Sequence, residues 1–307
     1  MRFYSVSSLL LTVLVAGCGA VKVADAAKPV VIKNEHVKSQ ILKASDITEI
    51  DSVVHEVSGL AQLQGRVWAI NDNGGYASVY GFDEQSFKLK NTIKLDNAFN
   101  IDWEDLAQDD QYLYVADIGN NIALRSSVVI YKVLQSELQT SKAKSQVTST
   151  VINVKYADKE SIWPQRKHNF DSEALTVVED ELWLFSKNRK DQHTKLYKID
   201  KTQARQSLTP SARFDVQGLI TAADYNPQTK QLLLLGYARG TAFGGSFVWR
   251  VDVVNNAVQW TSAKRFYIKP FAQWESIKWL GEHEFMIAAE KSRLTPPQIA
   301  KFELPLK

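Results

Sequence analysis

One pattern recurs five times along the chain, and it leaves few folds open. The segments are VSGLAQLQGRVWAINDNGG (57–75), DWEDLAQDDQYLYVADIGNN (102–121), DSEALTVVEDELWLFSKN (171–188), ITAADYNPQTKQLLLLGYAR (220–239) and WESIKWLGEHEFMIAAEKS (274–292). Each opens with a short run of small and apolar residues. A polar turn follows: Gln64-Gly65, Asp109-Asp110, Glu179-Asp180, Asn226-Pro227 or Gly281-Glu282. Then comes a strongly apolar run that ends in a polar cluster. Short apolar runs bounded by turn-forming residues read as paired strands. A third run follows in most units, at 78–83, 128–133, 195–200, 247–252 and 299–304. A fourth closes the first four units, around 89–95, 148–156, 208–215 and 263–268. Beyond residue 40 no stretch sustains the 3.6-residue period of a helix. Self-similarity on this scale is the mark of a repeat array.

The ends of the array settle its form. The fifth unit has no fourth strand, while ILKASDITEI (41–50) precedes the first unit and belongs to none. If the early stretch completes the last unit, the chain closes into a ring without open sheet edges. The expected fold is therefore all-β, a β-propeller of five four-stranded blades. A sandwich or solenoid gives no reason for the orphan strand. The second unit is long, and its insertions at 134–147 and 157–169 leave room for a sixth blade. The aromatic content, 8 Trp, 11 Tyr and 13 Phe, supplies the bulk needed between sheets.

Blade geometry then gathers residues that lie far apart in sequence. The start of the innermost strand and the end of the second share one face, at the mouth of the central channel. Aligned units put Ser58, Glu104, Glu173, Thr221 and Glu275 at the inner-strand start. Second-strand ends add Asp72, Asn73, Asp117, Asn120, Asn121, Lys187, Asn188, Arg239, Glu290 and Lys291. Three carboxylates near one axis repel each other, and partial burial raises their pKa values. Either a cation sits among them or Lys187, Arg239 and Lys291 neutralise them. Oxygen-rich clusters suit Ca²⁺ and, lacking His or Cys, disfavour zinc. The expected ligand-binding residues are Glu104, Glu275, Asp117, Lys187, Arg239, Glu290 and Lys291; the expected metal ligands are Glu104, Glu173, Asn73 and Asn120. Each glutamate also has a structural reading, in which it locks adjacent blades. His168 lies near the mouth and is the candidate general base beside Glu173; a solvated loop histidine is the plainer alternative. No Gly-x-Ser-x-Gly elbow or P-loop is present, and EF-hand spacing is absent. The insert around Trp163 reads as a lid or an exposed loop.

The N-terminus carries a different signal. An apolar run over 9–15 follows Arg2 and is too short to cross a bilayer. It has the layout of a signal peptide and ends in Val15-Ala16-Gly17-Cys18, which resembles a lipobox. The expectation is a signal peptide at 1–17, a lipidated Cys18, a flexible tether over 18–38, and a propeller domain over 39–307. Gly19 after the cysteine favours the outer membrane by resemblance to enterobacterial sorting. Cys18 is the only cysteine, so no intrachain disulfide forms. With 37 basic and 34 acidic residues, bulk charge gives no reason to expect nucleic-acid binding.

Trp103-Glu104-Asp105-Leu106-Ala107, Asp117-Ile118-Gly119-Asn120-Asn121, Ser172-Glu173-Ala174-Leu175 and Thr221-Ala222-Ala223-Asp224 resemble the recurring phrases of a group of bacterial secreted propeller proteins. Ala222 departs from the usual glycine. The resemblance covers about residues 50 to 305 and implies the fold rather than an activity. A looser similarity, of residue type and location, reaches calcium-dependent propeller hydrolases of the paraoxonase and gluconolactonase kind. It implies Glu104, Glu173, Asn120 and Asn73 as Ca²⁺ ligands. The function expected is a lipid-anchored, monomeric envelope propeller that binds a small polar ligand or divalent cation at its mouth. The alternatives are a Ca²⁺-dependent hydrolase of esters, lactones or phosphoesters, and a scaffold for envelope proteins.

Overall fold

The structure is a computed structural model that describes residues 29–34, 39–72, 74–139, 144–159, 163–238 and 245–305. The expected signal peptide, Cys18, Asn73 and Arg239 lie outside these residues.

Five antiparallel sheets form the five blades, each numbered here from the channel outward. Blade 1 runs Val57–Leu63, Arg66–Asn71, Ser78–Asp83, Leu89–Leu95. Blade 2 runs Trp103–Gln108, Tyr112–Asp117, Val128–Leu134, Thr150–Tyr156. Blade 3 runs Ser172–Val178, Glu181–Ser186, Thr194–Asp200, Ala212–Phe214. Blade 4 runs Leu219–Asn226, Gln231–Tyr237, Ser246–Val254, Lys264–Lys269. Blade 5 runs Trp274–Trp279, Glu284–Ala289, Gln298–Glu303, and closes with Asp46–Glu49. That closing strand pairs antiparallel, Ile47 opposite Ala300, so the second half of the stretch 41–50 completes the ring, while its first residues, 41–43, pair with blade 4 instead.

The long second unit holds no sixth blade. Its first insertion contains the short helix Gln135–Gln139 and the strand Lys144–Val147, which pairs parallel with blade 1's outer strand. Blade 3 does the same one step on, laying Arg205–Leu208 along blade 2. The N-terminal chain covers the next two outer edges. Val31–Ile32 pairs with blade 3 and Ser39–Lys43 with blade 4. The expected tether over 18–38 is therefore docked at its far end. Buried Asn34 donates to the carbonyls of Trp260 and Ala263, 3.2 and 2.8 Å away. Covered edges cannot template pairing with other chains.

The apolar second strands make sense in this arrangement. Each lies deep in a blade whose two faces both meet neighbours, so alternation gives way to runs such as Leu232–Leu235. Five hydrophobic clusters fill the five seams between adjacent blades. Trp103 packs in the blade 1–2 seam, Tyr114 and Tyr197 in the next, Trp183 and Trp249 in the third. Trp274 and Trp279 fill the fourth, and Phe82 and Met286 the fifth. Gln64-Gly65 turns the first hairpin with both φ values positive, 56° and 71°, as a two-residue type I′ turn requires.

Candidate functional site at the channel mouth

All five inner strands carry an irregularity at one place. The register slips by one residue between Val57 and Leu60, Trp103 and Asp105, Ser172 and Ala174, Ile220 and Ala222, and Trp274 and Ser276. The extra residues are Ser58 or its neighbour Gly59, then Glu104, Glu173, Thr221 and Glu275. These are the five positions that sequence alignment places at the mouth. A bulge re-aims a side chain that a regular strand would leave in its pleat.

The five then divide into two roles. In blades 1 and 4 the bulge residue is a short hydroxyl that ties the next blade. Ser58 Oγ lies 2.8 Å from the carbonyls of both Trp103 and Glu104. Thr221 Oγ1 donates to the Trp274 carbonyl at 3.3 Å. In blades 2, 3 and 5 the residue is a glutamate. Glu173 accepts from Lys187 Nζ, and its other oxygen lies 3.5 Å from Arg189. Glu104 lies beside Asp72 and Asp102, with one oxygen of each within 4.8 Å of the others.

Gly119 explains how those carboxylates reach one spot. A side chain there would sit 2.2 Å from Glu104 Oε1 and 2.3 Å from Asp102 Oδ2. The bare glycine of Asp117-Ile118-Gly119-Asn120-Asn121 is the floor over which the two carboxylates converge. The rest of that loop is bracing. Arg125 donates to Asp117 Oδ1 at 2.7 Å and to the Gly119 carbonyl at 2.8 Å. Asn120 accepts from the Arg125 amide at 2.9 Å and donates to the Phe170 carbonyl at 3.0 Å. Both ends of the Asn120 amide are thus committed to the loop. Asp117 is fully buried, and its Oδ2 meets no protein donor.

Among the described residues, Asp72, Asp102, Glu104, Asp117, Asp171, Glu173, Glu275 and Glu290 face Arg125, Lys187 and Arg189. Burial pushes Glu104 well above the usual carboxylate range, and Glu173, Asp72 and Asp102 push it further. Burial lifts Glu173 to about 8 against the pull of Lys187. It lifts Glu275 to about 7, again against Lys187, and Glu290 to about 7 with help from Asp72 and Glu56. Burial alone would lower Lys187, but Glu173 and Glu275 outweigh it and hold the ammonium charged. Among the described residues the acids outnumber the cations, so a further cation entering the ring would favour their ionised forms.

The other expected residues fall as follows. Lys291 is exposed at the rim, its amide bonded to the His55 carbonyl. His168 is buried and engaged at both nitrogens. Nδ1 accepts from the Phe170 amide at 3.1 Å, so Nε2 carries the proton and donates to the Asn121 carbonyl at 3.2 Å. Burial lowers its pKa and keeps it neutral. It pins the insert to the mouth loop and has no free lone pair for proton transfer. The lid-or-loop insert is anchored too, by the Gln165 amide on the Ile122 carbonyl.

Four mouth residues escaped the sequence reading: Asp102, Asp171, Arg125 and Arg189. The first two had a signal. Asp-x-Glu occurs as Asp102-Trp103-Glu104 and again as Asp171-Ser172-Glu173, with Glu56 two before Ser58. Asp171 ties the halves together, accepting the Asn120 amide at 2.8 Å and Arg189 Nε at 2.8 Å.

No protein-family model and no curated protein matches the chain. Similar solved structures include Kuenenia stuttgartiensis hydrazine synthase, at 11% identity and TM-score 0.42 over 81% of this chain. The chain spans 59% of that one. U3-55K is similar at 9% identity and TM-score 0.47, over 86% of this chain and all of the other. A 6-phosphogluconolactonase-like protein from Bacteroides uniformis is similar at 10% identity and TM-score 0.41, over 82% and 67% of the two chains.

Proposed function

We propose that the protein binds a divalent cation, Ca²⁺ by the chemistry of its donors, at the mouth of the propeller channel. The observation that carries this is the meeting of Asp72, Asp102 and Glu104 oxygens within 4.8 Å of one another above the bare Gly119. An all-oxygen donor set suits a hard cation. A bound divalent ion would offset the surplus carboxylate charge. The ligand set differs from the sequence expectation: Glu104 stays, Asp72 and Asp102 join it, Asn120 is committed to its loop, and Glu173 serves Lys187. On the neighbouring blade 3, Glu173, Lys187 and Arg189 present both signs of charge, which suits a small polar ligand.

The test is thermal unfolding of chelated protein titrated with Ca²⁺. A rise in Tm that saturates, and that Asp102→Asn or Glu104→Gln removes, supports the site. An unchanged Tm with Ca²⁺, Mg²⁺ and Mn²⁺ sinks it.

A hydrolytic reading draws on one further observation. Burial places Glu173 at about 8 and Glu275 at about 7, where a carboxyl can exchange protons at neutral pH. The ion would polarise a ligand oxygen when bound. Turnover of esters, lactones or phosphoesters that Glu173→Gln abolishes would establish it; equal turnover by that variant removes it. On sequence alone we place the chain in a bacterial envelope, anchored through Cys18. Palmitate labelling that persists in Cys18→Ser overturns that placement.

A further inference from the structure

Loops that join second to third strands, and fourth strands to the next blade, all emerge on the mouth face. Among the described residues, eight large apolar side chains stand exposed there, and most lie around blades 5, 1 and 2. Phe271 and Leu294 belong to blade 5, Tyr76 to blade 1, Phe99 and Ile101 to the link onward to blade 2. Ile122, Leu124 and Trp163 follow around blade 2 and its insert. Leu294 is 94% exposed, Tyr76 83%, Phe99 76% and Trp163 75%. Scattered exposed apolar residues are ordinary; an arc on one face of a protein whose other seams are filled marks an interaction surface.

The arc borders acid. At the blade 5–blade 1 seam the Asp72 amide bonds the Glu56 carbonyl at 2.8 Å, and the Glu290 amide bonds the Gln273 carbonyl at 3.2 Å. Glu290 feels the charge of Glu56 and Glu275 that of Glu290, so the three acids gather at this seam, whose mouth loops carry Tyr76 and Leu294. The cations near them include exposed Lys291, the half-exposed His55 at 4.0 Å from Glu56, and Lys187 and Arg189, both already engaged with Glu173. This patch borders the Asp72–Asp102–Glu104 cluster through Asp72 and Glu173.

We propose that the mouth face docks a polypeptide segment carrying a lysine or arginine between apolar residues. The cation enters between Glu56 and Glu290, in front of Glu275, and the apolar neighbours lie along the arc from Leu294 to Phe99. Charge complementarity selects this occupant. An anionic membrane surface would be repelled by the acids, and a second copy would set one acidic mouth against another. The arc spans three blades, more than a small ligand covers. The inference goes beyond cation binding and does not depend on it.

The experiment selects a random heptapeptide display library on the full chain, in excess Ca²⁺ and in chelator. Recovered sequences enriched in Lys or Arg with apolar neighbours are expected under both conditions. A synthetic peptide from that set should bind at least tenfold more weakly to Leu294→Ser/Phe99→Ser and to Glu290→Gln. Norleucine in place of its cation should lose tenfold as well. The exposed Leu294→Ser/Phe99→Ser variant should leave the Ca²⁺-induced Tm rise intact, which separates this proposal from the metal site. No enrichment, enrichment without a cation, or equal binding by the variants overturns it. So does a finding that the double variant abolishes only self-association in sedimentation, or only binding to phosphatidylcholine vesicles.

Discussion

The two ends of the channel hold similar residues and treat them differently. At the far end, a cavity of about 550 Å³ is lined by Asp109, Glu179, Asp224, Lys201 and Lys278 among others. There the three acids Asp109, Glu179 and Asp224 each have a lysine, while Asp110 and Asp180, which also line the cavity, are exposed. Asp109 lies 3.1 Å from Lys201, Asp224 3.0 Å from Lys278, and Glu179 2.6 Å from Lys230. Asp224 also accepts the Trp279 amide at 2.8 Å. Among the described mouth residues the carboxylates outnumber the cations, and Glu173 and Glu275 crowd around Lys187. Matched acids stabilise a fold; surplus acids store repulsion that a ligand can relieve. The contrast is what favours the mouth as the proposed site.

The largest test of that contrast is to remove one charge from each end. Lys278→Met leaves Asp224 buried beside an apolar chain, and should cost about 3 kcal/mol in a denaturant titration. Glu275→Gln at the mouth removes one of the surplus acids. In chelated protein it should raise the Tm, by roughly 2 °C for each kcal/mol of repulsion relieved. A loss of stability in both variants would mean that the mouth is as balanced as the far end.

Proton linkage gives the next test. Glu173 sits at about 8, Glu275 at about 7 and Glu290 at about 7, all above the usual 4.5 of an unfolded glutamate. The folded mouth thus holds more protons than the unfolded chain between about pH 4.5 and 8. Stability from these groups is full below that window and is lost as pH rises through it. Chelated protein should melt progressively lower from pH 5 to pH 8. Saturating Ca²⁺ should raise the Tm more at pH 8 than at pH 5, because the ion competes with protons. A flat profile without metal would show that Lys187 and Arg189 already balance the ring.

Gly119 sharpens the comparison from the side of shape. Gly119→Ala would push aside Asp102 and Glu104, which lie where the methyl must go. The Ca²⁺-induced rise in Tm should need at least tenfold more ion. An unchanged midpoint would remove those two residues from the site.

Much of this was readable from residues, and the limits have physical causes. The blades were legible because inner and second strands bury both faces, leaving runs such as 232–235 between turn residues. The closing strand was legible as a strand without a unit. The mouth positions were legible because the bulge recurs at one place in each repeat. The outer fifth strands were not, since Val31–Ile32 is two residues long and its pairing is set by the neighbour it covers. Partner choice at the mouth was not either. Glu104 and Glu173 occupy one repeat position, yet one converges with Asp72 and Asp102 and the other with Lys187. His168 had the residue type of a base, but only coordinates reveal that both nitrogens are taken by backbone groups.

The smallest expected effect tests whether the bulges truly divide into locks and site residues. Ser58 and Thr221 occupy the same bulge position as the glutamates but donate to the neighbouring blade's inner strand. Ser58→Ala leaves the buried carbonyls of Trp103 and Glu104 without that donor, at a cost of about 1 kcal/mol. Thr221→Val has the same logic over a longer bond of 3.3 Å, and should cost less. Neither variant should shift the Ca²⁺ midpoint, because neither hydroxyl belongs to the acidic cluster. Glu104→Gln should do the reverse, losing the Ca²⁺ response while the chelated protein becomes no less stable. If Ser58→Ala also weakens the Ca²⁺ response, the lock must position the Glu104 backbone for ligand binding. The hydroxyl and carboxylate bulges would then form one device instead of two.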